Sequence, residues 1–290
     1  MDEQIARGQL RSLYPNIELG QALSIGSRWF VFEGTLEGMM IVAKLNEKAN
    51  QEKCSTQLAR AILPEKLRVP RVVDAKKNTL LLEYINGNEP CISLLDDRCL
   101  CVEYLVEMQS IALRPGLKDY YFGKKLRNRL NAEYFYLTKA LPKADQLQKI
   151  VPEFAFLLQN ALNAVNGDAL GVLSHGDYQP RNLLVESEKK VVPLDWTDFG
   201  RSHHAYDIGN LLFASSSKTF LAGIDFYLSK RGGTEDSVNF AISAASIAGV
   251  IRAGSHFRKI EFGTRYLVES SLKTVHDGYQ LVKDLQEGDR

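Results

Sequence analysis

A chain of 290 residues and 32.6 kDa is long enough for one large domain or two medium lobes. Its 36 Lys and Arg nearly cancel its 35 Asp and Glu, and the balance holds on either side of residue 90. That excludes the basic face of a nucleic-acid binder, while 45% hydrophobic residues promise a sizeable core.

The first part of the chain reads as strands. Residues 22–25, 29–33 and 39–45 are aromatic and β-branched runs broken by Gly26, Gly34 and the Glu37-Gly38 turn, the pattern of a meander. Residues 47–63 predict a helix. Pro64 and Pro70 bound the next segment, and two further strands fall near 72–73 and 80–85. Asn86-Gly87-Asn88-Glu89-Pro90 is turn chemistry and marks the expected boundary between a lobe of residues 1–86 and a lobe of residues 87–290. Beyond it, residues 93–113, 123–141 and 146–165 show apolar periodicity near 3.6. A short β-like island covers 172–194, and helical patterns resume from Tyr206 to the end. The expected class is α+β: a small β-rich N-lobe followed by a larger helical C-lobe.

No repeat or low-complexity tract is present. Cys54, Cys91, Cys99 and Cys101 form no Cys-x-x-Cys pair and are read as reduced thiols. The N-terminus lacks a basic and apolar leader, and the longest apolar run, residues 241–251, is shorter than a membrane span and ends at Arg252. The expectation is a cytoplasmic protein with neither a membrane nor a nucleic-acid partner.

The chemistry is concentrated in the island. Residues 173–185 read Leu-Ser-His-Gly-Asp-Tyr-Gln-Pro-Arg-Asn-Leu-Leu-Val, and residues 191–198 read Val-Val-Pro-Leu-Asp-Trp-Thr-Asp. Two short strands joined by a tight turn near 187–190 let Asp177, Asn182 and Asp195 converge at one end. Two carboxylates and an amide are hard oxygen donors that suit Mg²⁺, which takes few protein ligands and the oxygens of a phosphate. Phosphoryl transfer needs positioning and charge neutralisation more than covalent chemistry.

This string resembles the aminoglycoside phosphotransferase and choline kinase-like family, which shares the two-lobe protein-kinase-like fold. His175-Gly176-Asp177-x-x-x-x-Asn182 is similar to its catalytic loop, Asp195-Trp196 to its metal-binding dipeptide, and Asp207 to the buried aspartate that braces that loop. The resemblance implies an ATP- and Mg²⁺-dependent enzyme that phosphorylates a hydroxyl of a small molecule. It implies Asp177 as catalytic base, Asn182 and Asp195 as metal ligands, and His175 and Asp207 as structural supports. Asp198-Phe199-Gly200 repeats the protein-kinase metal triplet, but Asp195 directly follows the strand and lies thirteen positions after Asn182. Asp198 is therefore placed, with Tyr121 and Glu261, on the acceptor side. On the nucleotide side, Lys44 is expected to reach the phosphates with Glu52 holding it. Gly26 and Ser27 would cover the phosphates. Glu83 and Ile85 would meet the adenine edge, and Ile25, Val42 and Leu184 its faces. A kinase acting on protein or on fructosamines is the rival reading, as is a catalytically inactive nucleotide-binding scaffold. About eleven residues between Asp195 and Tyr206 leave no room for a long activation segment, which disfavours the protein kinase. The acceptor's identity, the choice of ATP over GTP and the oligomeric state stay open.

Overall fold

A computed structural model describes residues 2–25, 29–165, 171–261 and 267–288. The chain forms two compact units, one of residues 1–89 with 181–199, the other of residues 90–180 with 200–290.

The first unit begins with a helix that the strand-dominated reading omitted. Helix α1, Glu3–Leu13, is capped by Asp2, whose carboxylate accepts from the Gln4 amide at 2.8 Å. Its buried Ala6 and Leu10 are four positions apart, so one stripe faces inward. The unit's main sheet contains β1 (Ile17–Ile25), β2 (Trp29–Leu36), β3 (Met39–Asn46), β4 (Val72–Lys76) and β5 (Thr79–Glu83). Its order is β1-β2-β3-β5-β4, antiparallel throughout. Alternation along the strands assigns the faces. Phe30, Phe32, Ile41, Ala43, Leu45 and Leu81 join α1 in one core, while Leu80 and Leu82 turn to the opposite face with Ala49 of helix α2, Ala49–Ile62.

The predicted single division near residue 86 is replaced by a discontinuous one. Strand β6 (Gly87–Asn88) pairs with β9 (Leu183–Glu186), and β9 pairs with β10 (Val191–Pro193). These ladders carry residues 181–199 into the first unit.

The second unit is mainly helical. It contains α3 (Leu95–Gln109), α4 (Gly123–Ala140), α5 (Val151–Val165), α6 (His204–Leu212), α7 (Ser217–Arg231), α8 (Ser237–Glu261) and α9 (Val268–Glu287). A three-stranded sheet, missed in part from the sequence, orders β7 (Asp119–Tyr121), β11 (Gly200–His203) and β8 (Gly171–Ser174) as β7-β11-β8. Helix α8 is longer than its apolar run, and its length and composition would suit a membrane span. Two thirds of its most apolar window is nevertheless buried inside the protein, and it packs on α4, α5, α6, α7 and α9. It is the unit's core helix. Gly209 of α6 lies flat against the Ala244 carbonyl of α8, leaving no space for a β-carbon. The four cysteines are free thiols.

Candidate active site

In the first unit the central observation is a buried ion pair. Lys44 on β3 and Glu52 on α2 meet at 2.5 Å, with side chains only 14% and 2% exposed. Burial acts to lower the Lys44 pKa, but Glu52 and then Asp195 outweigh it, and the ammonium is held above the ordinary lysine value. A lysine with two carboxylate neighbours stays charged, as a phosphate contact requires. Helix α2 is tied to the turn that follows Asp195: Gln51 Nε2 and Ser55 Oγ both donate to the Thr197 carbonyl, at 3.1 and 3.3 Å.

The β9–β10 hairpin sets the other two oxygen donors. Leu183 pairs with Pro193, and the Leu194 amide donates to the Asn182 carbonyl at 2.7 Å, so Asn182 and Asp195 flank the open end of one ladder. The opposite end closes with Lys189 at φ 59°. Asp195 itself is left-handed, with φ 59° and ψ 67°. Aspartate is among the few non-glycine residues that adopt that conformation as single residues, helped by local hydrogen bonds. Here Thr197 Oγ1 donates to Asp195 Oδ1 at 2.5 Å, and the buried Trp196 indole donates to the Pro193 carbonyl at 2.8 Å. No group of three or more His, Cys, Asp or Glu gathers among the described residues. One amide and one carboxylate fit Mg²⁺ completed by phosphate and water better than a metal caged by protein.

In the second unit, the loop after β8 carries Asp177. Asp207 on α6 is fully buried beneath it. Its Oδ2 accepts from Ser174 Oγ and the His175 amide, each at 2.8 Å, and its Oδ1 accepts from the Gly176 amide at 3.2 Å. Burial pushes the Asp207 carboxyl up to about 6 against the pull of those three donors. Gly176 has φ 89°, a conformation favouring glycine, which explains its place in the motif. The buried His175 accepts the Asp177 amide on Nδ1 at 3.3 Å and packs edge-on to Tyr178, whose hydroxyl donates to the Cys101 carbonyl at 2.8 Å. His175 thus shapes the loop's turn. The Asp177 carboxylate receives Gln179 Nε2 on Oδ1 at 2.6 Å.

The remaining expected residues divide as follows. Val42 lies on β3 opposite Leu82, and Leu184 on β9 opposite Val192. Ile25 ends β1, 54% exposed, and Ile85 is buried just beyond β5. The Glu83 carboxylate is engaged locally by Arg68 Nη1 at 2.9 Å and the Arg71 amide at 2.5 Å. Gly26 and Ser27 lie outside the described residues. Tyr121 stacks on Tyr206 with ring centroids 4.1 Å apart. Glu261 ends α8. Its carbonyl takes the Lys143 ammonium, and it is about 14 Å along the helix from Arg252 at ~1.5 Å per residue. Asp198 belongs to the 3-10 turn Trp196–Asp198 of the first unit. Four participants were missed from the sequence: Ser174, Gln179, Asn210 and Arg252. Arg252 had a signal, as the cation that closes the apolar run 241–251.

The antiparallel sheet with its Lys–Glu pair, the helical unit and the braced aspartate loop define a protein-kinase-like fold. The chain belongs to the phosphotransferase enzyme family, whose family model matches residues 41–236, and is therefore a phosphotransferase. Among solved structures it is similar to an ADP-bound aminoglycoside phosphotransferase, APH(2'')-Ib, at 17% identity and TM-score 0.65, covering 98% of this chain and 99% of that one. It is similar to choline kinase from Cryptosporidium parvum Iowa II at 15% and 0.66, covering 99% and 97%. It is also similar to a macrolide 2'-phosphotransferase type I at 14% and 0.69, covering 94% and 98%. No curated protein matches the sequence.

Proposed function

We propose that the enzyme transfers the γ-phosphoryl group of Mg-ATP to a hydroxyl of a small molecule, with Asp177 accepting the hydroxyl proton. The acceptor oxygen bonds to the γ-phosphorus, the bond to the β-phosphate bridging oxygen breaks, and ADP leaves. The observation that carries this reading is the buried Asp207, which takes three hydrogen bonds from the loop bearing Asp177 and so fixes that loop in space. Preorganised groups of this kind account for much of the catalysis of phosphoryl transfer.

In this reading the first unit holds the nucleotide. Lys44, kept charged by Glu52, contacts the phosphates. Gly26 and Ser27 cover them, Ile25, Val42 and Leu184 line the adenine, and the main chain at Glu83 and Ile85 reads its edge. Asn182 and Asp195 hold the metal, which when bound neutralises charge on the phosphate oxygens. The second unit carries Asp177 and the acceptor, with Tyr121 on the acceptor side. Two arginines of this unit are tied to other residues. Arg252 reaches the Asp177 loop through Gln179, and Arg258 shares the buried Glu133 with Arg129. A cytoplasmic location accords with this substrate class.

The test is ADP release from Mg-ATP across a panel of aminoglycosides, choline, thiamine, homoserine and fructosamines, with thermal shift by Mg-ATP as the binding readout. Asp177→Asn is expected to keep the Mg-ATP shift and lose turnover by orders of magnitude. Asp195→Ala is expected to lose the magnesium-dependent part of the shift. Wild-type turnover in either variant would overturn the assignment.

A further inference from the structure

Helix α6 touches the Asp177 loop by a second route that runs through side chains. Gln179 is 8% exposed, and its Nε2 lies 2.6 Å from Asp177 Oδ1. Its Oε1 lies 3.3 Å from Arg252 Nη2. The two ends of an amide are hard to tell apart by shape, but here chemistry decides. A carboxylate only accepts and a guanidinium only donates, so the oxygen must face Arg252 and the nitrogen Asp177. Arg252 is itself clamped. Its Nε donates to Asn210 Oδ1 at 3.1 Å, its Nη2 donates to the Asn210 carbonyl at 2.8 Å, and its guanidinium lies 4.9 Å from the Phe213 ring centroid. Asn210 stands three residues after Asp207 on α6. One helix therefore holds the loop twice: Asp207 grips its backbone, and Asn210, through Arg252 and Gln179, grips the carboxylate.

We propose that Gln179, oriented by Arg252, is a positioning residue that occupies Asp177 Oδ1 and turns Oδ2 toward the acceptor hydroxyl. The proposal rests on Asp177 being the proton acceptor. Without the amide, Asp177 Oδ1 loses the donor that holds it at 2.6 Å, and misplacement of a catalytic group by about 1 Å can cost on the order of 100-fold in rate. Nucleotide affinity, set by other residues, should not follow.

The experiment uses the full-length protein and Mg-ATP, reading ADP release with water as acceptor. Gln179→Leu, close in size but unable to donate, is expected to lower kcat by about 10- to 100-fold while the KM for ATP stays within about twofold. Arg252→Gln should show the same split, and Arg252→Lys should restore part of the loss. Gln179→Leu with Arg252→Gln should be no slower than Gln179→Leu alone, since both act through one contact. In an Asp177→Asn background, Gln179→Leu should change nothing further. Gln179→Leu with wild-type kcat overturns the proposal, and an Asp177→Asn rate that is lower by orders of magnitude but still measurable in the same assay would leave the catalytic reading standing. A rise in KM without a fall in kcat, or a further loss in the Asp177→Asn background, also overturns it by making Gln179 a direct ligand. Wild-type turnover in Asp177→Asn removes both. Should Gln179→Leu fail to fold, the Arg252→Gln and Arg252→Lys pair decides the same question.

Discussion

Replacing Lys44 by Met separates the structural from the chemical role of the buried pair. Glu52 is 2% exposed, and Lys44 lies 2.5 Å from it. Removing the ammonium leaves a buried carboxylate without its main compensation, which costs about 3–5 kcal/mol. For a chain of this size about 2–4 °C of melting temperature is lost per kcal/mol, so Tm should fall by roughly 6–20 °C. The loss should be greater at pH 8 than at pH 5. Burial raises the Glu52 pKa, and with Lys44 gone nothing in the pair opposes that, so stability is lost as pH rises through the folded-state value. Adding Glu52→Leu removes the stranded charge and should bring Tm most of the way back. The same double variant should still gain little stability from Mg-ATP, because the phosphate contact proposed for Lys44 is gone. Differential scanning fluorimetry with and without Mg-ATP reads all of this. An unchanged Tm in Lys44→Met would refute the claim that the carboxylate depends on Lys44. A double variant as unstable as the single would show that lost packing, not uncompensated charge, sets the cost.

Three further outcomes are expected. His203 and His204 are buried neutral, with pKa values pushed down to about 4 and about 3, mainly by burial. The stability they contribute is present above about pH 6.5 and is lost on acidification, by about 3 kcal/mol each at pH 4, at ~1.4 kcal/mol per pH unit. A pH series of Tm should show it, and His203→Asn should flatten the slope. Asp207 works in the opposite direction. Its folded-state pKa of about 6 lies above the ordinary carboxylate value, so its contribution is full at low pH and is lost as pH rises through about 6. The stability gap between wild type and Asp207→Asn should therefore narrow from pH 4 to pH 7, and a constant gap in denaturant titrations would contradict the burial argument. Finally, Gly209→Ala forces a methyl group against the Ala244 carbonyl, a backbone atom that cannot turn aside. A loss of about 1–3 kcal/mol or more follows, and wild-type stability would show that α6 and α8 can separate cheaply.

Much of the candidate site was legible because its geometry is local. The spacing from Leu183 to Asp195 is that of one hairpin, so apolar runs and a turn suffice to bring Asn182 beside Asp195. Glu52 falls on α2, which begins at Ala49 rather than at residue 47 as the sequence predicts, and it meets Lys44 from there. Helix α1 went unread even though Asp2 and the spacing of Ala6 and Leu10 announce it. Strands β7 and β11 are three and four residues long, too short for a period-2 pattern to stand out, and exist because each finds partners far away in the chain.

The sequence alone carried the motif on which the proposed chemistry rests: an aspartate, an asparagine and a second aspartate at fixed intervals around short apolar strands, with a lysine on an earlier one. Those intervals act through the rise of a strand and the reach of a turn, which are properties of the chain itself. Tertiary structure alone decided that residues 181–199 pack with the N-terminal sheet, and that α8 is a core helix. It also brought Arg252, 73 positions away, to orient Gln179. Such contacts depend on which buried faces find each other when the core closes, and no local pattern encodes that choice.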